Sequence, residues 1–359
     1  MKKKILISVG TRPNFIKVTR FKECARNHPN LEIRIVHTGQ HYDRLMSSVF
    51  FEQFGLQPDY YLTLESRLPS MQMGEITMKI GELLDAWKPD LLVVPGDVNS
   101  TLAAALAANK AGVPLAHLES GLRSHDRTMP EEINRILTDE ITETYFITEQ
   151  SGMDNLLLEG TRREQLHFVG NTMIDTLVAF ESEIEQSTIL EDLGIRQMPY
   201  LLMTMHRPSN VDNEAGLIFI RDLLQGATTD FNVVFPMHPR TWKKIDEFNL
   251  RSDFEALSRL TITDPLDYFA FQKLIKHTRM ILTDSGGIQE ESTFRQVPCL
   301  TIRDNTERPV TCELGTNELV PRDARTVLSK MTTNMTKKGI IPPLWDGKAT
   351  ERILEIIAA

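Results

Sequence analysis

Asp97, Glu119, His206 and His238 each stand at the close of an apolar run: "DLLVVPGD" (90–97), "PLAHLE" (114–119), "YLLMTMH" (200–206) and "FNVVFPMH" (231–238). Arg12, Gln40, His41, Asp284, Ser285 and Arg303 follow similar runs. A carboxylate or imidazole so placed can take or give a proton, and a guanidinium can fork two oxygens of an anion. One polar residue after a strand means little, because loops are polar. Its recurrence in both halves of the chain means more, since open α/β sheets bind ligands outside the carboxyl ends of their strands.

The stretch "LTDSGGIQEES" (282–292) has two readings. In one it is a plain strand-to-helix turn: Gly286 and Gly287 supply backbone freedom, and Glu290 and Glu291, placed in the first helical turn, complement the helix dipole. In the other, Ser285, Gly286 and Gly287 let a phosphate approach the N–H groups of a helix N-terminus. A carboxylate one turn further then accepts hydrogen bonds from a ribose diol, which would mean a nucleotide diphosphate. "VGTRPNFIK" (9–17) stands where a dinucleotide protein would show GxGxxG. Here Arg12 and Lys17 flank a turn containing Pro13, either a solvated basic loop or a contact to a diphosphate or sugar.

Asp97, in "PGDVNST" (95–101), is also a good cap or turn residue. Glu119, in "HLESGLRS" (117–124), has no capping task, which favours a functional one. "MPEEINR" (129–135) reads as an ordinary helix start with Pro130 at N1, and Glu131 with Arg135 as an i,i+4 ion pair. In "TMHRPSN" (204–210) and "PMHPR" (236–240), His206 and His238 lie near arginines, a pairing suited to an anionic leaving group. His37 and His41 are four apart but on a strand-to-loop stretch, so no metal-binding set is expected.

The elements that must position these residues alternate. Strands are expected at 4–10, 32–39, 90–97, 114–119 and 144–148, with helices at 15–27, 74–87, 101–112 and 130–142 between them. Gly112 is a plausible C′ residue. The pattern restarts with a strand at 167–171, a helix at 172–186 and a looser stretch at 192–199. Further strands follow at 200–206, 231–238, 260–263, 279–284 and 298–303. Such alternation means crossover connections and parallel sheets, hence two doubly wound α/β halves presenting strand ends to a shared cleft.

The length of 359 residues fits two domains, and 41% hydrophobic with 25% charged residues is an ordinary globular composition. A formal net charge of −9 argues against a nucleic-acid binder. The three cysteines, Cys24, Cys299 and Cys312, form no CxxC pair and point to a reducing compartment without disulfides. No segment has the roughly 18 apolar residues of a membrane span. The run after Lys2-Lys3-Lys4 is too short for a signal peptide, so a cytoplasmic protein is expected.

Taken together, "VGTRPNFIKV", "HTGQHYD", "PGDVNSTLAAALAA", "HLESGLRS", "MPEEINR", "HRPSN" and "TDSGGIQEE" followed by "RDNTERP" resemble the non-hydrolysing UDP-N-acetylglucosamine 2-epimerase family, in that family's order, from about residue 5 to 320. The resemblance implies a GT-B-like α/β fold of two Rossmann-like doubly wound parallel-sheet domains, at 1–171 and 172–344, facing a central cleft. A C-terminal helix at about 345–359 would return to the first. It implies catalytic roles for Asp97, Glu119, Glu131 and His206, which reverses the structural reading of Glu131. It places Arg12, Lys17 and His206 near the diphosphate and sugar, with Arg135 and His238 also among the substrate-binding residues. Ser285, Gly286 and Gly287 would take the phosphate, Glu291 the ribose, Phe271 the uracil, and Arg308 the sugar or phosphate.

A homodimer acting on a UDP-sugar is implied, with no metal, no other cofactor and no membrane partner. Members regulated by their own substrate carry a basic "QHR" after the second strand. Gln40-His41-Tyr42-Asp43 departs from this, which weakens the expectation of a second, allosteric substrate molecule. The implied reaction is inversion at C2 by elimination of UDP to a glycal and readdition. The rivals are the same chemistry on another UDP-2-acetamido sugar such as UDP-2,3-diacetamido-glucuronate, hydrolytic epimerisation, a GT-B glycosyltransferase, and a sensor that has lost catalysis.

Overall fold

The computed structural model describes residues 2–40 and 51–359. His41, Tyr42 and Asp43 of the departing motif lie outside them. The chain forms two compact units. The first runs to Ala179 and resumes at Pro343–Ala359, and the second is Phe180–Pro342.

In the first unit, strands β1 (Lys3–Val9), β2 (Leu31–His37), β3 (Tyr60–Tyr61), β4 (Leu91–Pro95), β5 (Leu115–Leu118), β6 (Thr144–Ile147) and β7 (Leu166–Phe168) make one sheet in the order β3-β2-β1-β4-β5-β6-β7. Every pairing is parallel. The β1 residues Ile5, Leu6 and Ile7 are all fully buried, as a strand covered on both faces requires. The helices that matter for the site are α1 (Arg12–Val18), α2 (Pro69–Trp87), α3 (Asn99–Ala111), α4 (Pro130–Glu140) and α5 (Thr172–Ala179). The small side chains of Ala103, Ala104, Ala107 and Ala108 let α2 settle close on α3, where Ile76, Ile80 and Leu84 fill one core. Gly112 ends α3 in the left-handed conformation, φ 65°, as a C-terminal glycine should.

In the second unit, β8 (Tyr200–Thr204), β9 (Asn232–Pro236), β10 (Leu260–Thr263), β11 (Met280–Thr283), β12 (Cys299–Ile302) and β13 (Asn317–Val320) pair in the order β10-β9-β8-β11-β12-β13, again all parallel. The strand period of two sorts their side chains. Leu201 and Met203 enter one apolar cluster, while Tyr200 and Leu202 enter the cluster on the opposite face. Helices α6 (Pro239–Glu247), α7 (Tyr268–His277) and α8 (Gly286–Phe294) follow β9, β10 and β11. The chain then returns to the first unit as α9 (Ala349–Ala358). The carboxylate of Asp175, on α5, accepts the first α9 amides, Ala349 N at 3.1 Å and Thr350 N at 2.6 Å.

Three details differ from the reading of the sequence. The helix expected over 15–27 is α1, a short helix Phe21–Cys24 and a 3-10 turn Ala25–Asn27. Arg12 and Lys17 therefore sit on a helix instead of flanking a turn. The helix expected over 172–186 breaks at Phe180, φ −104° and ψ 20°, where the units divide. That division falls after α5 and not before it, because Thr176 on α5 donates to Ile16 O and pairs with Thr19 beside α1.

Candidate active site

In the first sheet the strand order reverses at the β1–β4 neighbours, the position where open α/β sheets leave a crevice. Lys17, in the last turn of α1, reaches across this point and forms a buried ion pair with Glu119, just after β5. The turn after β4 makes room for it. Gly96 has φ +66°, and a Cβ there would come within 2.8 Å of Lys17 Nζ and 3.2 Å of Asn14 Nδ2. Asn14 Nδ2 in turn donates to Pro95 O at 3.0 Å.

Asp97 follows that glycine. It accepts from Arg135 Nε at 3.0 Å and Nη2 at 2.6 Å, and its side chain stays 22% exposed. It does not cap α3, whose N-cap position is Val98. Glu119 is 5% exposed and holds φ +72°, a left-handed backbone that costs a non-glycine residue roughly 1–3 kcal/mol and persists where surroundings enforce it. Enforcement is visible in the loop that follows. Glu132 on α4 accepts Ser124 N, Ser124 Oγ and His125 N, each at 2.9 Å, and Arg135 Nη1 at 2.7 Å. Asp139, one helical turn beyond Arg135, accepts Gly121 N at 3.1 Å and Arg123 Nη1 at 2.7 Å, and meets His117 Nδ1 at 2.6 Å. Burial alone would raise the carboxyl of Glu132, but its Ser124, His125 and Arg135 donors hold it below the usual range. Burial would likewise raise Asp139, and His117 and Arg123 outweigh it.

The second sheet reverses at the β8–β11 neighbours. Asp284, fully buried after β11, accepts His206 N at 3.1 Å, Arg207 N at 2.9 Å and Asn210 Nδ2 at 2.9 Å, and lies 2.9 Å from His206 Nδ1. Burial pushes this carboxyl up, and those donors, His206 first, bring it below its ordinary value. His206 is thereby oriented while its side chain stays 58% exposed. Ser285 is the N-cap of α8, and Gly286 opens the helix. A Cβ on Gly286 would meet Glu307 Oε1 at 2.7 Å and Arg308 Nη1 at 2.8 Å. Arg308 pairs with Glu290 (Nε–Oε2 2.9 Å) and with Glu307, which also receives Arg303 Nη2 at 2.8 Å.

The sequence-derived residues thus divide into two groups. Lys17 joins Glu119, and Arg135 joins Asp97, at one switch point. His206, Ser285, Gly286, Gly287 and Arg308 surround the other. Arg12 is the first residue of α1 and half-buried. Glu291 is buried within α8, and Phe271 packs half-buried against the cluster under α7.

Two expectations are corrected. Glu290 and Glu291 lie in the second turn of α8, whose first turn holds no acid, so they do not complement its dipole. The buried ion pair of Arg135 runs to Asp97 and Glu132, and Glu131 is exposed one position earlier on α4. His238 is exposed and caps α6, its Nδ1 accepting Arg240 N at 3.1 Å. Sequence reasoning passed over Glu132, Asp139 and His117. The one available signal was their spacing: Glu132, Arg135 and Asp139 recur at three and four residues and so share a helix face.

Comparison with known proteins shows the family. The family model described as UDP-N-acetylglucosamine 2-epimerase matches residues 22–358. The chain belongs to the UDP-N-acetylglucosamine 2-epimerase family. Within that family it is similar to the UDP-N-acetylglucosamine 2-epimerase of Methanocaldococcus jannaschii, 38% identical over 99% of this chain and 98% of that one. A crystal structure of the M. jannaschii enzyme in complex with UDP-GlcNAc and UDP superimposes with a TM-score of 0.90, at 38% identity and 99% coverage of both chains. The UDP-2,3-diacetamido-2,3-dideoxy-D-glucuronate 2-epimerase of Pseudomonas aeruginosa is 37% identical over 99% of each chain. The GT-B-like α/β class expected from the motifs is the fold of this epimerase family. Among the described residues no helix is long and apolar enough to cross a membrane.

Proposed function

We propose that the protein interconverts UDP-N-acetylglucosamine and UDP-N-acetylmannosamine without hydrolysis. The observation that carries this reading is the buried Lys17–Glu119 pair, set in a left-handed turn beside the Arg135–Asp97 pair at the first switch point. The C2 hydrogen of such a sugar has no adjacent carbonyl to acidify it, so direct deprotonation is prohibitive. Elimination avoids the problem. The C2–H electron pair becomes the C1=C2 bond, the C1–O bond breaks, and UDP leaves as an anion. UDP oxygen then returns to C1 while a proton is delivered to the opposite face of C2.

Each face needs an acid or base, and Asp97, Glu119 and Glu131 supply the carboxylates. Lys17 and Arg135 offset charge on the first two. Leaving-group charge falls to the second unit. Ser285, Gly286 and Gly287 present helix N–H groups to the diphosphate, and His206, Arg308 and His238 Nε2 add donors, with Arg12 on α1. Such preorganised donors are usually the largest catalytic contribution. Glu291 takes the ribose and Phe271 the uracil. No metal or redox cofactor takes part in these steps.

The similarity to the P. aeruginosa enzyme at 37% identity supports a second reading, the same inversion on UDP-2,3-diacetamido-2,3-dideoxy-D-glucuronate. Proton NMR in D2O with each sugar nucleotide tests both. Formation of the C2 epimer with deuterium at C2 is expected. Release of free N-acetylmannosamine and UDP would move the protein to the hydrolysing class, and an unchanged spectrum with both sugars would sink the proposal.

We infer that the enzyme works in the cytoplasm as a homodimer. The exposed face of α2 carries Met71 and Met78, and nothing lies within 4 Å of a Cβ built on Gly74 or Gly81. Positions 71, 74, 78 and 81 alternate by three and four residues, large then absent, so two copies of the helix can set methionines against glycines.

A further inference from the structure

We propose that His117 and Asp139 form a buried imidazolium–carboxylate pair that positions Asp97 and Glu119. This rests on the reading of those two residues as catalytic. The His117 ring is fully buried between two acceptors. Its Nε2 lies 2.8 Å from Gly96 O, and its Nδ1 lies 2.6 Å from Asp139 Oδ1. A carbonyl oxygen only accepts, so Nε2 carries a hydrogen. A ring with that hydrogen alone would aim the Nδ1 lone pair at a carboxylate lone pair, so a second proton lies between Nδ1 and Oδ1. The other oxygen, Oδ2, receives Gly121 N and Arg123 Nη1, donors that suit a carboxylate. A neutral acid could also accept there, but the Arg123 cation paired with Oδ2 favours the ionised form, so the shared proton belongs to the ring.

The surrounding charges agree. Around the ring stand Arg123 with Glu159, Lys17 with Glu119, and Arg135 with Asp97 and Glu132. Tyr145, from β6, donates to the Asp139 carbonyl at 2.7 Å. With an imidazolium, four cations face five carboxylates. With a neutral ring, three cations face five, so the imidazolium narrows the excess of negative charge around a ring that is itself fully buried.

The two ends of the pair hold the two turns in question. His117 fixes the carbonyl of Gly96, the residue before Asp97, and Gly96 N is bonded to Leu118 O at 2.9 Å. Asp139 fixes the amide of Gly121, two residues after Glu119, where φ is +79°. One proton-linked contact thus ties the turn after β4 to the turn after β5. It holds Asp97 and Glu119 in register without touching substrate, so both its members are positioning residues.

The test uses the full chain labelled with ring-15N histidine at pH 7.5, with His117→Gln to assign the signal. Two ring N–H protons on His117 are expected in the wild type, and a single one would overturn the pair. Asp139→Asn should remove one of them and lower kcat about 100-fold, the scale on which misplaced groups lose rate, while UDP affinity and KM change by less than about threefold. Two N–H protons with an unchanged kcat in Asp139→Asn would overturn the positioning role. Wild-type turnover is measured alongside: its absence would overturn the proposed reaction, while the ring spectrum would still decide the pair.

Discussion

Arg135 bridges Asp97 and Glu132, giving Nε and Nη2 to the first and Nη1 to the second. Adjacent residues on one helix therefore have opposite fates. Glu132 is 1% exposed and engaged by four donors, while Glu131 faces out. Glu132→Gln should lower unfolding free energy by about 3–5 kcal/mol, the scale for stripping one partner from a buried ion pair. Glu131→Gln should stay within about 0.5 kcal/mol of wild type and yet lose turnover. Urea melts and the NMR assay on the two variants check both halves.

Glu119→Gln keeps the shape of the turn and removes a proton acceptor. Turnover should fall by about 10²–10⁴-fold, as for loss of a general acid or base, with UDP affinity retained. A turnover within about threefold of wild type would remove Glu119 from the mechanism. Because Lys17 is left buried and unpaired, the variant should also melt at lower temperature.

Acid should destabilise the fold through Asp284, Asp139 and Glu132, whose carboxyls all lie below their ordinary values in the folded chain. A depressed carboxyl contributes stability that is full above its unfolded pKa, about 4, and is lost as pH falls through the folded value. Thermal melts should therefore hold the contribution of these groups above about pH 5 and lose it below about pH 4. Asp284→Asn should melt well below wild type at pH 7, and the gap should narrow steadily toward pH 3. A constant gap would show that Asp284 does not carry the linkage.

Met71→Glu with Met78→Glu should turn a homodimer into monomers, read by light scattering. Each change puts a charge on the exposed stripe of α2, so the fold and UDP affinity should survive. Dimers persisting at micromolar concentration would move the interface elsewhere.

Much of this was legible in the sequence because parallel strands are short, apolar and punctuated. β10 matches its expected run, Leu260–Thr263, end to end. The edge strands β3 and β13 were not seen, since β3 is only two residues long and β13 opens on the polar pair Asn317-Glu318 and so shows no apolar run. The turns of the candidate site announced themselves as polar residues after apolar runs, at Asp97, Glu119, His206 and Ser285. What stayed hidden was the choice between neighbours. Helix-start chemistry favours Glu131 and Glu132 equally, and only the loop at 124–125 packing on α4 decides which is buried. His117, inside an apolar strand, reads as one more core position until its two acceptors are seen.

The chain leaves the first unit at Ala179 and re-enters at Pro343, and these two places are close. A Cβ on Gly347 would lie 3.1 Å from Val178, and Asp175 holds the start of α9. In architectural terms the second unit is an insert within a continuous host. A short splice from α5 to the segment before α9 would excise it and leave the host sheet, its last helix and both carboxylate turns intact, so each half can be grafted onto a relative without cutting through a core.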